Sequence, residues 1–88
     1  MDIEFDPAKN KINIQKHGVN FAEVEGVFYD SMAITVEDTD HGEQRFVTLG
    51  ADAIGRLLVV CYVWRSEAVV RIISARRAQP HERKTYEE

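Results

Sequence analysis

"RLLVVCYVWRSEAVVRIISA", residues 56–75, holds two apolar runs joined by a short polar link. In the first run, Leu57 to Trp64, apolar side chains occupy both alternating positions, the pattern of a strand at the centre of a sheet. The second run is rich in β-branched residues, which suit a pleated surface. Four residues, "RSEA", are too few for a crossover, so the two runs pair antiparallel as a hairpin. Eight apolar residues fall far short of the roughly 20 that cross a bilayer, so no membrane association is expected.

The alternating period extends upstream of the hairpin. "RFVTLG" reads as a further strand leading into the turn "ADAIG", and "MAITVE" puts Ile34 and Val36 on one side of another, followed by the acidic turn "EDTDHGEQ". Before residue 31 the period is helical. Asp6 followed by Pro7 is a helix start, and Gly18 is a stop that accepts a left-handed backbone. Lys16 and His17 fall in the last turn, where cations complement the helix dipole. Residues 19–30, "VNFAEVEGVFYD", read as a second helix, with Asn20 and Glu23 as a capping box and Phe21, Val24, Val27 and Phe28 on one face. "IEFD" reads as a short edge strand. Pro80 opens a short C-terminal helix. The expected fold is α+β: two N-terminal helices packed on one face of a small antiparallel sheet, then a short C-terminal helix, in a single domain over residues 1–88.

Composition narrows the function. The 88 residues carry net charge -4, 44% hydrophobic and 30% charged residues, which is globular rather than disordered. The charge is divided unevenly. Residues 1–44 hold three Lys and ten acids, and residues 45–88 hold eight Lys or Arg and five acids. The halves pair with each other across the fold or with charged partners. The N-terminus is acidic and lacks the features of a signal peptide. Cys61, the lone cysteine, lies within the apolar run, so neither an internal disulfide nor a thiolate metal cluster is expected, and its environment makes it inert. A cytoplasmic location follows as the expectation.

Residues 71–83, "RIISARRAQPHER", bring together four arginines, Arg71, Arg76, Arg77 and Arg83. Strand alternation puts Arg71 and Arg77 on one side and Arg76 on the other. Guanidinium groups grip phosphate oxygens bidentately and keep their charge, so the cluster suits phosphate. A solvated strand end paired with the acidic half is the competing reading. On the first helix Lys9, Asn13 and Lys16 fall on one face beside His17, while Ala8 and Ile12 form a neighbouring stripe able to pack on the sheet. Lys, His and Arg together are what metal-free RNA cleavage requires: a base for the 2′-hydroxyl, an acid for the leaving 5′-oxygen, and cations for the phosphorane. His41 sits among Asp38, Asp40 and Glu43, but Gly42 falls at the fifth position of a would-be calcium loop instead of the sixth, so no metal or other cofactor is expected. Tyr62 and Trp64 share a strand face, as core or as a stacking platform.

Four blocks, "FDPAKNKINIQKHGVNFAEVEGVF", the central D-x-D-H…E-x-R, "GRLLVVCYVWR" and "RIISARRAQPHERKTYEE", together resemble the BrnT family of toxins from bacterial type II toxin–antitoxin systems, over essentially the whole chain. The resemblance implies a RelE-like fold and a ribonuclease that arrests translation. It also implies a BrnA-like antitoxin that neutralises it, and operator DNA met only through the antitoxin complex. Lys9, Lys16, His17, Arg45, Arg71, Arg76 and Arg77 match the family blocks. Lys9, His17, Arg71, Arg76 and Arg77 are the catalytic candidates, Lys16 and Arg45 the further RNA contacts. Glu82, Arg83 and Tyr86 are expected to tie the C-terminal helix to the sheet. The alternative is a catalytically inactive toxin-like module that acts only in an antitoxin and operator complex.

Overall fold

A computed structural model describes residues 1–40 and 42–88. Its sheet is built on the expected hairpin of β4 (Leu57–Trp64) and β5 (Val69–Arg77), with β3 (Arg45–Ala51) against β4 and β2 (Ile34–Asp38) at one edge. These four run antiparallel. β1 (Asp2–Glu4) closes the other edge, and it lies parallel to β5, with Ile3 opposite Val70 and Glu4 opposite Arg71. The sheet is therefore mixed, not antiparallel as expected. Its β1–β5 contact joins segments 67 residues apart through three residue pairs, too short a signal for periodicity to carry.

The second departure lies in residues 19–30. α1 (Pro7–His17) forms as expected, with the Asp6 carboxylate accepting from the Ala8 N–H at 2.9 Å and Gly18, at φ 69°, donating to Ile14 O at 2.8 Å. The expected second helix is instead two 3-10 turns, Phe21–Glu23 and Glu25–Tyr29. One helix, not two, precedes the antiparallel strands. Two contacts account for this. The Asn10 carboxamide holds the entry, accepting from the Phe21 N–H at 2.8 Å and donating to Asn20 Oδ1 at 3.0 Å. Gly26 is pressed against the β3–β4 turn so closely that a Cβ there would lie 2.5 Å from Ala53 N. The apolar residues still reach the core, because the short turns deliver Phe21, Val24 and Val27 to the sheet fully buried.

One sheet face carries that core. Leu58, Val60 and Tyr62 of β4, and Val70, Ile72 and Ala75 of β5, meet Val19, Phe21, Val24 and Val27, with Ile3, Phe5, Phe28 and Phe46 around them. Fully burying each such aliphatic side chain contributes about 1.5–3 kcal/mol. Tyr62 is core, its ring edge-on to Phe28 at 4.8 Å and its hydroxyl in a hydrogen-bonded chain with Thr48 and Thr35 at 2.8 Å per step. Trp64, next on that face, is half exposed.

β5 contains a bulge. Cys61 is opposite Ser74 and Tyr62 is opposite Ile72, which leaves Ile73 as an extra residue. An extra residue reverses the alternation beyond it. Arg71 and Arg76, opposite Val63 and Val59, consequently share one face, and Arg77, opposite Leu58, lies on the other. This corrects the expectation that Arg71 and Arg77 point the same way.

Candidate functional site

Beyond Arg71, β5 has no strand on its β1 side, and α1 takes that place. It does so with a carboxamide instead of an apolar stripe. Asn13 is buried, donates to Ala75 O at 2.8 Å and Val19 O at 2.9 Å, and accepts from the Ala75 N–H at 3.2 Å. The side chain thus makes the two backbone bonds that a neighbouring strand would have made, which satisfies an open sheet edge. Asn13 does not join Lys9 and Lys16 at the surface, and Ile12, expected to pack on the sheet, is 56% exposed.

That docking creates a groove of about 200 Å³ between α1 and β5, lined by Lys9, Ile12, Lys16 and His17 on one side and Ile73 and Ser74 on the other, with the buried Asn13 at its base. Three of the sequence-derived candidates therefore converge. Among the described residues, none of these three side chains has a carboxylate within ion-pair distance. Ser74, which no sequence signal singled out, enters the site because the Ile73 bulge brings it to the face shared by Arg71 and Arg76.

The arginines are more committed. Arg71 Nη1 donates to Glu4 Oε1 at 3.3 Å, and Arg65 Nε lies 3.4 Å from the same oxygen. Arg76 holds Glu82 of α2 (Pro80–Glu87) with two bonds of 2.8 Å, one from each terminal nitrogen. That guanidinium, helped by the Gln79 N–H, lowers the Glu82 carboxyl to about 2 against the pull of burial. At its far end α2 is fixed by the Tyr86 hydroxyl, which donates to Asp30 Oδ2 at 2.6 Å. Glu82 and Tyr86 therefore anchor the C-terminal helix, while Arg83 is exposed. Arg77 is exposed on the opposite face, away from Ser74.

Arg45 sits two strands from β5 on the face of Arg71 and Arg76, opposite Asp38 and paired with Glu43 at 3.1 Å. At about 4.8 Å per strand it stands roughly 10 Å from Arg71. Between them the face is apolar, with Val63, Cys61, Val59 and Val47 in successive rows. Burial raises the Cys61 thiol, the condition of an unreactive cysteine. Among the described residues no three His, Cys, Asp or Glu side chains gather as a metal would require, and His41 lies outside those residues. Among them, no helix is long and apolar enough to cross a membrane.

The groove and its flanking arginines occupy a chain with known counterparts. The family described as the ribonuclease toxin BrnT of type II toxin–antitoxin systems matches residues 5–82. The crystal structure of the Brucella abortus ribonuclease toxin BrnT is similar with a TM-score of 0.73 at 25% identity, over 90% of this chain and 97% of that one. No curated protein matches.

Proposed function

The chain belongs to the BrnT family of ribonuclease toxins of type II toxin–antitoxin systems, and from that premise we propose that it is a metal-independent endoribonuclease whose site is the α1–β5 groove. One observation carries the reading: Lys9, Lys16 and His17, spread over two turns of one helix, line a single groove opposite Ser74 on the strand that bears Arg71 and Arg76. An RNA phosphate seated there meets two ammonium groups and an imidazole. A base takes the 2′-hydroxyl proton, the 2′-oxygen attacks phosphorus, and the P–O5′ bond breaks as an acid protonates the 5′-oxygen, leaving a 2′,3′-cyclic phosphate. The His17 imidazole, which can both accept and donate a proton, is the group that exchanges these protons, and Lys9 and Lys16 stabilise the phosphorane. Arg71 and Arg76, each held by a carboxylate, flank the path and supply field more than direct grip. Arg45 extends the basic surface across the sheet. A BrnA-like antitoxin neutralises the protein in the cytoplasm, and operator DNA is bound only through that complex.

The test is cleavage of a synthetic RNA in EDTA by the purified chain. Cyclic phosphate ends are expected, and His17→Ala or Lys9→Ala should lower the rate by about 10²-fold or more, the scale of general acid–base catalysis, with unchanged melting because both side chains are exposed. Full activity in both variants, or activity only on adding a divalent metal, would overturn the assignment. The commitment of Arg76 to Glu82 is the observation that favours the second reading, an inactive module that only binds antitoxin. That module would leave the RNA intact.

A further inference from the structure

A second cavity lies apart from the lysine groove. It is a cleft of about 440 Å³ where the 3-10 turns meet the β3–β4 turn, and its lining includes Glu23, Glu25, Tyr29, Asp52, Ile54 and Arg56. Its shape is built in. The close approach at Gly26 and Ala53 forms the floor, and the Asp52 carboxylate organises the turn by accepting from the Ile54 and Arg56 N–H groups at 3.2 and 2.8 Å. Its mouth carries two large exposed apolar side chains, Ile54 at 78% and Tyr29 at 68% exposed. Single exposed apolar residues mean little, but two of this size at the mouth of a cleft mark an interaction site.

Charge identifies the occupant. Three carboxylates stand against one guanidinium, and that guanidinium is already engaged, with Arg56 Nε 2.7 Å from Asp52 Oδ2 and Nη2 3.9 Å from Glu23 Oε1. Among the described residues, Glu23 and Glu25 face solvent with no other ion pair than that long contact. Such a mouth repels RNA phosphate, which belongs with the lysines of α1. A type II toxin has a second macromolecular partner, its antitoxin. We infer that this cleft receives the antitoxin, through an apolar side chain carried on a segment with flanking lysines or arginines. The inference rests on the toxin reading above. It separates the two partners by charge: the basic groove meets RNA and the acidic cleft meets protein.

The test measures the affinity of the cognate antitoxin for wild type, Ile54→Asp and the double variant Glu23→Lys/Glu25→Lys, with RNA cleavage assayed on each free protein. Ile54→Asp should weaken antitoxin binding roughly thirtyfold, the scale of losing an apolar anchor. The double reversal should slow association about tenfold and reduce its salt dependence. Both variants should cleave RNA as wild type does. All three altered residues are exposed, so folding, checked by melting, is preserved. Antitoxin affinity within about twofold of wild type in both variants overturns the inference. So does a parallel loss of RNA cleavage, which would give the cleft to RNA. A wild-type chain that cleaves no RNA sinks the ribonuclease reading alone, since the antitoxin measurement stands without it.

Discussion

Replacing Asn13 by alanine removes three hydrogen bonds at once: those to Ala75 O and Val19 O, and that from the Ala75 N–H. The site is buried, so the groups left behind find no ready water. An orphaned buried N–H costs about 1–3 kcal/mol, and each carbonyl, with a second lone pair, costs less. Alanine recovers up to about 0.7 kcal/mol as the better helix former. The net loss comes to about 2–3 kcal/mol. That is a large share of the roughly 4–13 kcal/mol total stability of a domain this long. At about 4–8 °C per kcal/mol, melting should fall by about 10–20 °C. Asn13→Asp should be worse than alanine, because it keeps one acceptor, loses both donors and sets a carboxylate against two carbonyl oxygens. Gln15→Ala, on the exposed side of the same helix, should stay within about 0.5 kcal/mol. Urea unfolding monitored by circular dichroism reads all three. A loss below about 0.5 kcal/mol for Asn13→Ala, or an aspartate variant more stable than the alanine one, would refute the idea that this carboxamide stands in for a strand.

Two further predictions concern the C-terminal helix and the tight turn. Glu82 is held well below its ordinary value by Arg76, so the pair's stabilisation is complete above about pH 4.5 and is lost as pH falls toward about 2. The Arg76 side chain is 36% exposed, which discounts the contribution to about 1 kcal/mol. Glu82→Gln should therefore lower stability at pH 7 by about that amount and leave a shallower acid dependence. Some slope remains, because the Ala51 N–H and Tyr86 also hold the Asp30 carboxyl low; an acid profile identical to wild type would show that the pair contributes nothing. Gly26→Ala forces the 3-10 turn and the β3–β4 turn apart, since the clash is with backbone, and should cost about 1–3 kcal/mol in denaturant unfolding.

Much of the architecture could be read from residue order because its signals are local. The β4–β5 hairpin, the Asp6 and Gly18 ends of α1 and the Pro80 start of α2 all depend on neighbours within a few positions. What escaped depends on contacts far along the chain. The apolar spacing of Phe21, Val24 and Val27 is correct for burial, but Gly26 against Ala53 decides that the backbone carrying them is 3-10. The parallel β1 is too short to declare its partner. Within the site, the Lys9, Lys16 and His17 grouping followed from helical spacing, whereas Asn13 was read as surface because a polar residue on a helix ordinarily faces water. Glu4 and Glu82, which occupy Arg71 and Arg76, lie 67 and 6 positions away, and only the fold shows that each is the counter-ion.

The bulge at Ile73 makes the site depend on a count more than on an identity. Any residue in that place would preserve the phase, so substitutions at position 73 are a poor guide to its importance. Drawing it into the ladder as an ordinary paired residue would turn the strand beyond by half a repeat. Ser74 and Arg76 would pass beneath the sheet, Arg77 would come up beside Arg71, and the C-terminal helix would be called to dock on the wrong side. Deleting residue 73 outright would straighten β5 and still leave Ser74 and Arg76 on the face of Arg71, because Cys61 would go on meeting Ser74 and Tyr62 Ile72; what the site requires of this position is that its residue stay outside the ladder.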